Sequence, residues 1–284
     1  MSIQQLVLFT ADANGLERTL RLVHALLQLV VSVPVLLATA SAWLLPVPVD
    51  KSGDSYPVAV YEAAALLVGA RDRVNLVRRV LRMLLFVGCF HSAHQLYTSL
   101  FSTAESTPGQ VGRRRRRQYE TCLDAFAATF AGIYLLLETA TLVDALDVPG
   151  LAVWGPERAE WLDVEGQRYW FLSLSCGVMV GLLRMANVTD DLPLPAKADT
   201  NETADAEKEK ENQGKAIRQE RQNRLVALSR RVVADAFDVL LPGAVVGWTP
   251  LGPATVGLIM TFTTLLTGYD VWLQCGREAA VKMA

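Results

Sequence analysis

The sequence predicts an all-α, membrane-associated chain built from amphipathic helices and closed by a C-terminal transmembrane segment. Residues 71–86 read RDRVNLVRRVLRMLLF, a leucine-rich run holding five arginines. Residues 254–269 are uncharged and flanked by aromatic residues. Apolar residues make up 51% of the 284 and charged residues 20%, oilier than an ordinary soluble domain yet too charged for a transporter apolar from end to end.

Near the N-terminus, Asn14 with Glu17 three residues later has capping-box spacing. Leu16, Leu20, Val23 and Leu27 then share a helical face, opposite Glu17, Arg18 and Arg21. Residues 25–49 carry no charge and are long enough to cross a bilayer, but Pro34, Pro46 and Pro48 point to a bent helix in the interface or a buried one. DKSGDSYP (50–57) has the chemistry of a loop, and a helix is expected over 57–70.

The arginine helix follows, spanning 71–87 and able to continue to Phe101. At 3.6 residues per turn, Arg71, Asn75, Arg78, Arg79 and Arg82 fall on one narrow strip. Val74, Val77, Val80, Leu81, Leu84 and Val87 cover the opposite side, and Arg73 projects toward them. A wide apolar face beneath a cationic strip suits an anionic phospholipid surface: Arg71, Arg78, Arg79 and Arg82 would bind headgroups, while Val77, Val80, Leu81 and Leu84 enter one leaflet. A helix packed on its own protein, with the arginines in water, has the same pattern.

Residues 102–118 are polar and end in five arginines, 113–117, which read as a solvated loop or a generic basic patch, and also fit a cytosolic anchor on anionic lipid. A third helical block runs from 119 to 146, where Asp124, Glu138 and Asp144 argue against a free-standing span. A turn region at 148–163 precedes the apolar residues 169–183, short for a span. Residues 190–223 are charged and nearly free of aromatics, a flexible insert becoming helical toward its basic end. Three regions result: 1–189, 190–223 and 224–284.

The last region begins with an amphipathic helix bearing Leu225, Leu228, Val232, Ala236 and Val239 on one side. The expected anchor comes next, with Ala254, Gly257, Leu258, Phe262, Leu265, Gly268 and Tyr269 at its lipid-facing or helix-packing surface. Gly243 and Gly247 form a GxxxG, a spacing that lets helices approach closely in lipid.

Catalytic signatures are missing: no phosphate-binding glycine loop, no GxSxG and no HExxH. His91 and His94 sit one turn apart without an acidic or cysteine partner, so no metal or other cofactor is expected. The four cysteines are scattered singly, as in a reducing compartment. A net charge of −2 gives no reason to expect nucleic acid.

In order along the chain, these pieces resemble the peroxin eleven family, peroxisomal membrane proteins that elongate and divide peroxisomes. RDRVNLVRRVLRMLLFVGCFHSAHQL sits where that family keeps its membrane-inserting amphipathic helix. FAGIYLLLETATLVDALDVPGL and QRYWFLSLSCGVMVGLLRM are similar to its central helix pair, and DAFDVLLPGAVVGWTPLGPATVGLIMTFTTLLTGYDVW to its C-terminal span. The long charged insert suggests a divergent, fungal-type member. The resemblance implies a non-enzymatic peroxisomal membrane protein with cytosolic termini that self-associates and works with a dynamin-type fission machinery. A small-metabolite pore of the same membrane is the alternative. One or two spans would favour shaping, four or more a pore.

Overall fold

The computed structural model describes residues 3–44, 55–102, 111–191 and 204–283, and among them every regular element is a helix. Eleven helices follow in order: α1 (Ile3–Ala11), α2 (Ala13–Ser32), α3 (Pro34–Leu44), α4 (Ser55–Arg82), α5 (Leu85–Ser102), α6 (Val111–Ala140), α7 (Leu142–Ala145), α8 (Pro156–Asp191), α9 (Ala204–Asp238), α10 (Leu240–Val246) and α11 (Pro253–Met283).

Asp12, not Asn14, caps α2, its carboxylate accepting the Gly15 amide at 3.1 Å. The turn from α1 needs glycine at 15, because a Cβ there would lie 2.0 Å from the Phe9 carbonyl oxygen. Glu17 is thereby left for a different partner. The uncharged N-terminal run is bent, α2 and α3 meeting at 104° before Pro34, whose ring cannot continue the helix. Residues 45–54 lie outside the described residues.

Neighbours in space run α5–α6–α8–α9–α11–α2–α4, and the end of α4 returns to α6. Aromatic contacts join α6 to α8, with Tyr134 stacked on Trp170 at 5.4 Å and Phe130 tilted against Tyr169 at 6.2 Å. Glycines let other pairs close: Gly132 faces Phe90, and Gly181 faces Val232. Gln5 donates to the Trp272 carbonyl at 2.9 Å and Phe9 packs edge-on against Trp272, so both ends of the described chain sit together.

Among the described residues, three helical stretches are long and apolar enough to cross a membrane: Arg115–Ala140, Pro156–Val188 and Pro253–Ala279. The bent α2–α3 pair is a fourth if it counts as one span. Two of these correct the sequence reading. Two of the three carboxylates that argued against a span in the third block are paired, Asp124 with Arg184 and Glu138 with Arg82. The third, Asp144, lies beyond the stretch on α7, where it accepts the Trp154 and Gly155 amides. The fifteen apolar residues 169–183 are the middle of a 36-residue helix, extended at both ends by residues too polar to have been counted. The arginine run expected as a loop is helical from Val111, and α9 is helical from Ala204, well before 224.

Candidate membrane interface

The helical periodicity of α4 puts the arginines on one face, but that face is turned inward. Arg78 donates to Glu17 Oε1 at 3.0 Å, joining α4 to α2. Arg82 donates to Glu138 Oε1 at 2.6 Å, joining α4 to α6. Arg79 reaches Thr141 Oγ1 at 2.6 Å and Asp163 Oδ1 at 2.9 Å. Arg71 bonds Gln28 Oε1 at 2.9 Å and its neighbour Asp72. Outward face Leu84 at 65% exposure, Val77 at 48%, Val80 at 43% and Leu81 at 41%.

Magnitudes explain the direction. Breaking a buried ion pair strands the other charge at a cost of about 3–5 kcal/mol. An arginine near an anionic headgroup returns only about 1 kcal/mol. Internal pairing wins, and the arginines expected on headgroups hold the protein together from within. The pairing is nonetheless incomplete: the Nε groups of Arg78, Arg79 and Arg82 are buried without a partner, each at a cost of about 1–3 kcal/mol. Burial and then the like charge of Arg82 lower the Arg78 pKa, opposed by Glu17.

A second buried pair lies behind the C-terminal helix. Arg21 of α2 meets Asp238 of α9 at 2.6 Å, each side chain 7% exposed, and also contacts Thr263 of α11. Nearby, burial pushes the Asp235 carboxyl up to about 6, with Arg231 opposing and Asp238 adding to the shift. The aspartate lies over Gly177 of α8.

On α11, the residues expected at the anchor divide into two groups. Leu258, Phe262, Leu265 and Tyr269 are exposed, at a spacing that puts them on one outer face. Gly257 is buried against Leu29, Gly268 faces Arg18, and Ala254 is half-buried. Arg230 of α9 pairs with Asp270 at 2.8 Å and lies 5.1 Å from the centre of the Tyr269 ring. At the GxxxG, a Cβ on Gly243 would meet Thr249 of the next turn, and Gly247, at φ 85°, ends α10.

Sequence reasoning missed Glu17, Arg21, Thr141, Asp163 and Asp238 as partners. The available signal was a lone charge within an apolar helix, which in lipid implies a mate. His91 and His94 are exposed, and no group of three metal-ligating side chains forms among the described residues. Arg79, Thr141, Asp144 and Asp163 line a cleft of about 660 Å³ at the junction of α4, α7 and α8.

A family model described as peroxisomal biogenesis factor 11 (PEX11) matches residues 58–272. Neither the curated proteins nor the solved structures contain a match. The family match takes in the inward-turned arginines of α4, the α6–α8 pair and most of α11. The chain therefore belongs to the peroxisomal biogenesis factor 11 family and is associated with the peroxisomal membrane.

Proposed function

We propose that the chain elongates the peroxisomal membrane, promoting fission and proliferation, by seating the outer face of α4 and the start of α5 in one leaflet. No catalysis is assigned to it. The carrying observation is that Val77, Val80, Leu81 and Leu84, at and just past the end of α4, are exposed while Arg78, Arg79 and Arg82 beside them are turned inward. Apolar bulk added to one leaflet expands that leaflet alone and makes the bilayer curve. Held beside the wedge, α6, α8 and α11 keep its local concentration high.

Topology fits this reading. Basic residues beside a span favour the cytosol, which assigns the Arg115–Arg117 end of α6 to the cytosolic side, against anionic phospholipid. The contact of Gln5 and Phe9 with Trp272 keeps both chain ends on one side, read as cytosolic. Self-association and a dynamin-type fission machinery belong to the proposal through the family. Among the described residues a span count of three lies between the expectations for shaping and for a pore, and four, with the bent pair, meets the expectation for a pore. Interior charges closed in pairs, rather than lining a path, favour shaping.

The test is complementation in cells lacking the protein, with peroxisome length and number counted. A chain with both Val80→Ser and Leu84→Ser should reach peroxisomes yet leave them shorter and fewer than the wild type does. Elongation equal to wild type would refute the wedge.

A further inference from the structure

We propose that α4–α5 meets the membrane through an uncharged surface suited to a neutral, loosely packed leaflet, with Arg78, Arg79 and Arg82 positioning that surface from behind. This rests on the reading that the face enters a leaflet, and it specifies which leaflet.

Between Val77 and Gly88 every exposed side chain is apolar, glycine apart. The cations that would draw the helix to anionic headgroups are committed elsewhere. Arg78, Arg79 and Arg82 are each bonded to a carboxylate, on α2, α8 and α6 respectively. Glu17 and Glu138 are themselves only 14% and 11% exposed, so they cannot exchange these partners for water without moving. A guanidinium closed on a carboxylate is a neutral unit and contributes little field at the outer face. The nearest exposed charges along the chain, Asp72 and Arg73, are adjacent and opposite in sign. The exposed charges that line a cleft together with Arg79 are Asp147 and Glu160, which are acidic and do not attract anionic headgroups. Such a surface gains free energy only by filling hydrocarbon space, so it favours lipids whose headgroups leave gaps, and leaflets already curved.

The inward strip also fixes the helix in rotation. Arg78 and Arg82 are one turn apart and tie α4 to two different helices, α2 and α6. Held at both points, α4 cannot roll, and Leu84 stays outward at the break where Met83 and Val87 make only short-range amide bonds. The arginines are positioning residues for a contact made by aliphatic neighbours.

The experiment places a tryptophan at the tip, Leu84→Trp, in the full chain. The variant is reconstituted into vesicles of brominated phosphatidylcholine and phosphatidylethanolamine, with and without phosphatidylserine. The six native tryptophans give the baseline to subtract. The added quenching should agree within about twofold with and without the anionic lipid, and salt should not change it. Replacing phosphatidylethanolamine by phosphatidylcholine should reduce it, since the gaps close. A fall of about tenfold when phosphatidylserine is left out would overturn the inference and leave the wedge standing. Absence of added quenching in every composition would overturn both.

The positioning role has its own arm. Arg82→Glu in the Leu84→Trp chain should lose the added quenching, and Glu138→Arg introduced alongside should restore it by re-forming the pair in reverse. Quenching that survives Arg82→Glu, or a helical double variant without rescue, removes that role.

Discussion

Helices α4 and α11 both turn aliphatic side chains outward, yet they enclose different polar groups. Behind Val77, Val80, Leu81 and Leu84 stand arginines paired with carboxylates of three other helices. Behind Leu258, Phe262, Leu265 and Tyr269 stand Thr263 and Thr264, whose hydroxyls bond carbonyls of their own helix. These α11 hydroxyls are therefore satisfied within one helix, and Arg21 at Thr263, Arg230 at Asp270 and Tyr269, and Phe237 against Phe262 reach that helix from elsewhere. The α4 surface depends on partners far along the chain. An outward apolar face made by local bonding survives a change in its neighbours, whereas one made by distant ion pairs fails with any of them.

The largest effect expected falls where the two regions share a support. Arg21 crosses from α2 to Asp238 of α9 and to Thr263 of α11. Arg21→Ala would leave Asp238 buried and unpaired, a loss of about 3–5 kcal/mol. Thermal unfolding in detergent should drop accordingly. Thr263→Val removes only a long hydroxyl contact and the local bond to Met260, and should cost about 1 kcal/mol. Equal losses from both would mean that the ion pair is not what couples α11 to the rest.

These two helices also show what a sequence discloses. The outer face of α11 was legible because its 254–269 core lacks charge, so periodicity alone separates Leu258, Phe262 and Leu265 from Gly257 and Thr264. On α4 the periodicity sorted residues onto faces correctly but not the faces onto environments. Arg78, Arg82 and Arg79 find Glu17, Glu138 and Asp163 at separations of 61, 56 and 84 residues, and no local pattern encodes such pairings. The membrane reading itself brings in the bias toward charge outward, which is a rule for water. In lipid the inside is where charge can be paired. The length of α8 was hidden for a related reason: PERAEWLDVEG and RMANVTDD look like loop in composition yet continue the helix.

A medium effect should come from glycine on α11. A Cβ on Gly257 would lie 2.9 Å from Leu29 Cγ and 3.2 Å from the Leu29 backbone nitrogen. The side chain can turn away but the backbone cannot. Gly257→Ala should therefore push α2 from α11 and cost about 1–3 kcal/mol through overpacking. Crosslinking between cysteines introduced at Gln5 and Leu273 should weaken with it, since α1 and α2 would shift together. A stability equal to wild type would show that α2 packs elsewhere.

The smallest effect has the opposite sign, and it sharpens the comparison most. Gly69 sits inside α4, exposed, with nothing within 4 Å of a Cβ placed there. Its backbone is helical, so glycine offers no conformational benefit and only adds freedom to the unfolded chain. Gly69→Ala should stabilise by about 0.5–1 kcal/mol. The same change, glycine to alanine, thus helps on α4 and harms on α11, because one glycine faces open surroundings and the other another helix. If Gly69→Ala instead destabilises the chain in bilayers while stabilising it in detergent, that face of α4 is covered in the membrane by something closer than lipid. A second copy of the chain would then be the first candidate, and crosslinking through Gly69→Cys would show it as a dimer.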